Sequence, residues 1–215
     1  MKKLYFVMAA LIVASLVLTA CGGGAASDAL KVGQVTDLGG IDDKSFNATA
    51  YAGVEKAVAE LGVEGKYLES AQQADYEKNI QQFLDEDTDL IVTVGFLLGD
   101  ATKAAAEANP EAKFAIVDFA YDPTIPNVLG LVFGTDQASF LAGYAAAAST
   151  KTGKVATWGG INIPPVADFM IGFEAGVKYY NAQKGANVEV LGWSNEANDG
   201  SFTGTPDCGV TIDDL

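Results

Sequence analysis

A two-lobed α/β fold, each lobe a parallel sheet flanked by helices, is what these 215 residues predict, with the second lobe incomplete. Three observations carry that expectation. From Lys31 onward, short β-branched runs alternate with alanine-rich stretches of helical spacing, the rhythm of parallel βαβ units. No short-period repeat or low-complexity tract interrupts the rhythm after Ser27. A coarse echo also divides the chain: Lys31-Val-Gly-Gln-Val-Thr36 leads to Gly39-Gly40 and a helix, and Lys154-Val-Ala-Thr-Trp158 leads to Gly159-Gly160 and another.

The elements follow in order. Met1-Lys2-Lys3, an apolar run from Leu4 to Leu18 and small residues before Cys21 describe a secretory signal over residues 1–20. That run is too short to span a bilayer comfortably as a helix. The glycine-rich residues 21–29 read as a flexible tether. Strands are predicted at Lys31–Thr36, Lys66–Glu69, Asp89–Val94, Lys113–Asp118 and Val128–Phe133, completing a first lobe over 30–134. Helical spacing links Phe46, Ala50, Val54, Ala57, Val58 and Leu61, then Tyr76, Ile80, Phe83 and Leu84. The partial second lobe, 135–215, has a helix through Phe140, Leu141, Tyr144, Ala147 and Ala148. Strands at Lys154–Trp158 and Val188–Gly192 and a helix from about Val166 to Tyr180 complete it. Asn109-Pro110 and Asp122-Pro123 mark turns.

Composition excludes several functions. All thirteen basic residues are lysines, and the chain lacks arginine and histidine. Net charge is −15, and removing residues 1–20 makes it 11 − 28 = −17. Such a surface repels nucleic acid, whose affinity depends on clustered cations at the phosphates. It suits nucleotides and sugar phosphates equally badly, leaving neutral or cationic ligands. Without histidine, no Ser-His-Asp or Cys-His device and no imidazole metal site can form. If Cys21 is modified, Cys208 has no intrachain partner for a disulfide.

In open α/β sheets, ligands sit beyond the carboxyl ends of the strands. The stretch Val35-Thr-Asp-Leu-Gly-Gly-Ile-Asp-Asp-Lys-Ser-Phe-Asn47 occupies such an end. Gly39-Gly40 supplies positive φ for a tight turn. As a phosphate loop it is poor, because Asp37, Asp42 and Asp43 would repel the anion. Asp43 or Ser45 reads as a helix N-cap. Asp42 and Asp43 are adjacent in a turn and make a weak catalytic pair. At helical spacing alone Phe46 reads as core. Phe169 and Phe173 lie four apart on one helix face, so at least Phe173 reads as core.

Several ordered stretches resemble the basic membrane protein family: Val35–Asn47, Lys113-Phe-Ala-Ile-Val-Asp118, Ser139-Phe-Leu-Ala-Gly-Tyr144, Lys151-Thr-Gly-Lys-Val155 and Gly172-Phe-Glu-Ala-Gly-Val-Lys-Tyr179. The match runs from about Lys31 to Gly204. These are lipid-anchored, substrate-binding proteins of nucleoside ABC transporters. The resemblance implies a type I periplasmic-binding fold closing on a nucleoside, a permease partner, no cofactor and no catalytic chemistry. Asp37, Phe46 and Asn47 then contact the ligand from the first lobe, with Phe46 stacking on the base. Asp118 hydrogen-bonds the ligand, Phe202 closes on its other face, and Phe169 lines the rim. Leu18-Thr-Ala-Cys21 resembles a lipobox, implying lipidation of Cys21 and a place on the outer face of the cell membrane, as a monomer. Multiple acyl chains at about 0.8 kcal/mol per CH2 would hold it there.

Physics agrees with that use. Stacking is worth roughly 1–3 kcal/mol per face, and a hydrogen bond to a carboxylate about 1.5–3 kcal/mol. A micromolar complex needs about 8 kcal/mol net, so both lobes must take part. A nucleoside-sensing or adhesive surface lipoprotein is the alternative expectation, and a calcium-dependent nucleoside hydrolase a remote one. Beyond Gly204 the chain departs from the family pattern. A truncated or frameshifted product is expected there, with residues 193–215 poorly ordered and an unpaired sheet edge.

Overall fold

A computed structural model describes residues 29–204. Five parallel strands form one sheet: β1 (Lys31–Val35), β2 (Glu64–Leu68), β3 (Leu90–Val94), β4 (Phe114–Val117) and β5 (Val128–Leu131), in the order β2-β1-β3-β4-β5. Three helices connect them: α1 (Phe46–Leu61), α2 (Tyr76–Asp85) and α3 (Gly99–Ala108). Right-handed crossovers then set α1 against one face, because β1 to β2 steps opposite to the later connections, and α2 and α3 against the other. Contacts bear this out. Gly33 leaves room for the Phe83 ring of α2, whereas Gly65, on the other face, lies under Val54 and Val58 of α1.

The core of this lobe lies between the sheet and α2–α3. It comprises Val35, Tyr76, Ile80, Phe83, Ile91, Leu98, Ala101, Ala106 and Phe114. The predicted strands occur here, each shorter or shifted by up to two residues; at β5, Val132 and Phe133 leave the sheet. Helix α3 has no counterpart in the apolar periodicity. Its buried positions are Gly99, Ala101, Thr102 and Ala106, small residues that pack closely without a large apolar stripe.

The chain passes through residues 132–134 into α4 (Thr135–Ser149), β6 (Lys154–Ala156), α5 (Pro164–Lys184) and β7 (Glu189–Leu191). Strands β6 and β7 pair in parallel. Helix α5 is longer at both ends than its periodicity indicates, starting on a proline whose fixed φ suits the first turn and ending at Gly185 with φ 62°. Helices α4 and α5 meet through glycines: a Cβ on Gly143, Gly172 or Gly176 would stand 2.0–2.2 Å from the carbonyl oxygens of Phe173, Asp136 and Phe140. Ser139 Oγ donates to the Phe169 carbonyl across the same seam.

The expectation of disorder from residue 193 is corrected up to residue 204. Residues 193–200 form a hairpin, β8 (Trp193–Ser194) and β9 (Asp199–Gly200). The buried Glu174 carboxylate of α5 accepts the Asn195 N–H, and Asn195 Nδ2 donates to the Ile171 carbonyl at 3.1 Å. Beyond the hairpin, Thr203 N donates to Gly159 O and Gly204 N to Gly160 O, so this segment lies alongside the glycine pair after β6. Cys21, Cys208 and the signal segment lie outside the described residues.

Candidate ligand-binding cleft

A cavity of about 280 Å³ opens where the carboxyl ends of β1, β3 and β4 face the start of α5. The first lobe contributes Asp37, Phe46, Gly95, Phe96, Leu97 and Asp118, and the second Gly160, Ile161, Ile163, Pro165, Val166 and Phe169. Hollows of about 500 and 510 Å³ open at the opposite, amino-terminal end of the sheet, where Lys31 and Asp89 or Thr88 stand. The smaller cleft brings aromatic rings and two carboxylates from the first lobe against an apolar wall from the second, the usual form of a ligand site.

Asp37 follows β1 by two residues, and its loop is tightly held. Its Oδ1 accepts the Gly39 N–H at 3.0 Å and Asn47 Nδ2 at 2.7 Å. Glu69 at the end of β2 accepts the Ile41 N–H at 2.7 Å, anchoring the turn in which Gly40 has φ 66°. Of the two capping candidates, Ser45 holds the N-cap position of α1 without a side-chain cap bond, and Asp43, two residues earlier, supplies the capping carboxylate. Its carboxylate accepts the N–H groups of Ser45, Asn47 and Ala48 at 2.7–3.0 Å. Burial pushes its pKa up, but those three N–H groups and the Asn47 amide outweigh burial and hold it below the ordinary value. Thus spent, Asp43 is no free catalytic acid. Among the described residues no group of three metal-binding side chains gathers.

Phe46 is half-buried with its ring in the cleft rather than in the core between sheet and helix. Asn47, expected to touch ligand, instead lies behind Asp37, 1% exposed and outside the cavity lining. Asp118 ends β4 with φ 61°, a left-handed conformation that aspartate tolerates better than most residues. Its N–H donates to Leu131 O at 2.8 Å, and burial raises its carboxyl pKa. Phe169 lines the cleft with 47% of its surface exposed.

Phe202, expected to close the ligand's second face, does not line the cleft. Its backbone pairs with Gly159, and its ring packs edge-on against Trp193, centroids 6.4 Å apart. The position opposite Phe46 belongs to α5 and the loop before it.

Two parts of the wall escaped sequence reasoning. The Gly95–Leu97 loop follows β3, which lies between β1 and β4 in the sheet, so its carboxyl end must share their crevice. That signal was present in the strand order. Phe96 is backed by Phe119, centroids 5.0 Å apart, and Phe119 by Tyr121 at 4.8 Å. The apolar Ile161, Ile163, Pro165 and Val166 follow the second glycine pair. Among the described residues the cleft wall has two carboxylates and no lysine.

Residues 30–203 match the Bmp family, described as "ABC transporter substrate-binding protein PnrA-like". A "CD4+ T-cell-stimulating antigen" of Listeria innocua is 38% identical over 205 residues, covering 88% of this chain and 57% of that protein. The "ABC transporter nucleoside-binding protein BmpA" of Lactococcus lactis is 32% identical over 212 residues, covering 93% of this chain and 60% of its own length. Among solved structures, an ABC transporter solute-binding protein of Aeropyrum pernix superposes with a TM-score of 0.68 at 35% identity, over 75% of this chain and 46% of that one. The chain thus spans about half the length of the relatives it matches. The Bmp family and its solute-binding neighbours are binding proteins rather than enzymes, and the solved neighbours share the periplasmic-binding architecture.

Proposed function

We propose, from the premise that this chain belongs to the Bmp family of PnrA-like ABC transporter substrate-binding proteins, that it captures nucleosides between its lobes for delivery to an ABC permease. The observation that carries this reading is the pairing of an aromatic ring, Phe46, with two carboxylates, Asp37 and Asp118, around one cleft without a lysine. A base is a flat, neutral π surface, and ribose hydroxyls and base N–H groups are donors that a carboxylate can accept. Phe169, entering from α5, supplies the second apolar face in place of Phe202. Phosphorylated ligands would place their charge beside two acids, so nucleosides rather than nucleotides fit. The two-ring base of a purine suits the aromatic and aliphatic walls best. Lipidation at Cys21 would hold the protein, as a monomer, on the outer face of the cell membrane, where capture precedes transport.

Calorimetry on the full chain in mild detergent tests this, with inosine, guanosine, adenosine, cytidine and inosine monophosphate as ligands. Micromolar-range binding of the purine nucleosides, with the monophosphate at least about tenfold weaker, is expected. A folded sample that evolves no heat with any nucleoside at millimolar concentration defeats the reading.

A further inference from the structure

Asp43 sits two bonds away from the cleft, yet its contacts lead there. One carboxylate oxygen, Oδ1, serves helix α1 alone, accepting from Ser45 N at 2.9 Å and Ala48 N at 3.0 Å. The other, Oδ2, faces two donors of a single residue: Asn47 N at 2.7 Å and Asn47 Nδ2 at 3.2 Å. The Asn47 carboxamide has further partners. Its Nδ2 also donates to Asp37 Oδ1 at 2.7 Å, and its Oδ1 accepts the Asp37 N–H at 3.3 Å. With both amide hydrogens engaged, and 1% exposed, Asn47 has no free donor to offer a ligand.

This chain of contacts sets how Asp37 meets the cleft. Its Oδ1 is occupied by Asn47 Nδ2 and Gly39 N. Its Oδ2 faces Gly95, within 3.0 Å of where a Cβ would stand. A single acceptor oxygen is thereby held at a defined place on the wall. An amide flipped end for end at Asn47 would turn its carbonyl oxygen toward the Asp37 carboxylate and push it away.

We propose that Asp43 is a positioning residue for ligand capture: through the Asn47 carboxamide it fixes the rotamer of Asp37 and so presents one carboxylate oxygen to the bound nucleoside. The affinity part of this role rests on the nucleoside reading above; the orienting part does not.

Asp43→Asn is the discriminating variant. Its retained oxygen can still accept from Ser45 and Ala48, while its new amide meets the two donors of Asn47 as a third donor. Inosine affinity by calorimetry is expected to fall about tenfold. The same substitution on an Asp37→Ala background is expected to change affinity less than about twofold, because its route to the ligand is gone. Equal losses on both backgrounds, or no loss on the first, overturn the proposal. A second measurement needs neither variant nor ligand. In the unliganded parent, NMR should show the two Asn47 side-chain amide protons as a slowly exchanging pair. Exchange as fast as that of an exposed asparagine overturns the relay. Should inosine fail to bind the parent at all, the nucleoside reading falls alone and the amide measurement still decides.

Discussion

Asp118 combines a left-handed backbone, a place on the cleft wall and a carboxyl whose pKa burial raises above 3.8. Without ligand, ionising it costs the folded state as pH rises through that raised value. A ligand that donates to the carboxylate favours the ionised form, so capture expels the proton. Nucleoside affinity is therefore expected to fall on acidification, starting above the ordinary aspartate value. Calorimetry from pH 7 downward checks this. Asp118→Asn, which tolerates the same φ, should be weaker at neutral pH and should lose the part of the fall that begins above the ordinary aspartate value. A parental affinity unchanged down to the ordinary value contradicts the assignment. Gly95 makes a second demand on the same wall. Its φ of 114° suits glycine, and an added Cβ would stand 3.0 Å from Asp37 Oδ2 and 3.4 Å from Phe46 Cε1. Gly95→Ala should cost about 1–3 kcal/mol of stability from backbone strain. It should also weaken binding by at least about tenfold, read by denaturant titration and calorimetry together. At this scale the sequence was legible where a residue's place follows from a strand end, as for Asp37 and Asp118 in the cleft wall. Phe46, which opens α1, reads as core by its spacing, and only the family resemblance pointed it to the cleft. The sequence was illegible wherever a role depends on what a side chain finds across space. Asn47 is spent on Asp37 and Asp43, and Phe202 is drawn to Trp193 by its pairing with Gly159.

Helices α4 and α5 show how an element's sequence can be read for existence but not for contact. Their spacing is evident, yet the seam is made by residues without side chains. Gly176→Ala would put a methyl 2.0 Å from the Phe140 carbonyl oxygen, backbone that cannot rotate away, so the helices must separate. Overpacking of this kind costs about 1–3 kcal/mol, and for a chain of this length each kcal/mol lowers Tm by roughly 2–4 °C. Gly53→Ala on α1 is the contrast. Nothing lies within 4 Å of its Cβ position, and the site is an exposed helix interior. There alanine should raise stability by about 0.4–1 kcal/mol. Thermal melts of the two variants are expected to move in opposite directions, and a shared direction would refute the glycine-seam account. The same reliance on small residues hid α3. Thr102 Oγ1 donates to Thr93 Oγ1 at 2.8 Å, and Gly99 lies against the Phe119 ring, contacts with no periodic apolar signature. In the first lobe β3 and β4 were legible because buried parallel strands are continuous apolar runs, whereas the exposed Glu-Gly-Lys-Tyr-Leu of β2 carries no such run and was placed two residues late. The β8–β9 hairpin was not legible, since two-residue strands carry no period and depend on Glu174 and Asn195 to hold them.

Across the whole molecule, the cleft belongs to neither lobe alone. The first supplies Asp37, Phe46, Asp118 and the loop after β3; the second supplies an apolar wall from Gly160 to Phe169. The lobes are joined in the chain through residues 132–134, and the seams that organise each one, the α2–α3 face and the α4–α5 pair, lie on either side of that joint. A molecule so built has low resistance to movement between its halves unless something bridges them. On the proposed reading, a nucleoside with one face on Phe46 and the other on α5 would be such a bridge. Ligand present at about a hundred times Kd adds roughly 2.7 kcal/mol to the bound form. That stabilisation should appear in both lobes at once. Hydrogen exchange followed by mass spectrometry is expected to slow on adding inosine in peptides covering residues 95–97 and, in the same titration, in peptides covering 160–169. Protection of the first set alone would mean that the ligand rests on one lobe and leaves the second free, and capture by closure would then be the wrong account of this fold.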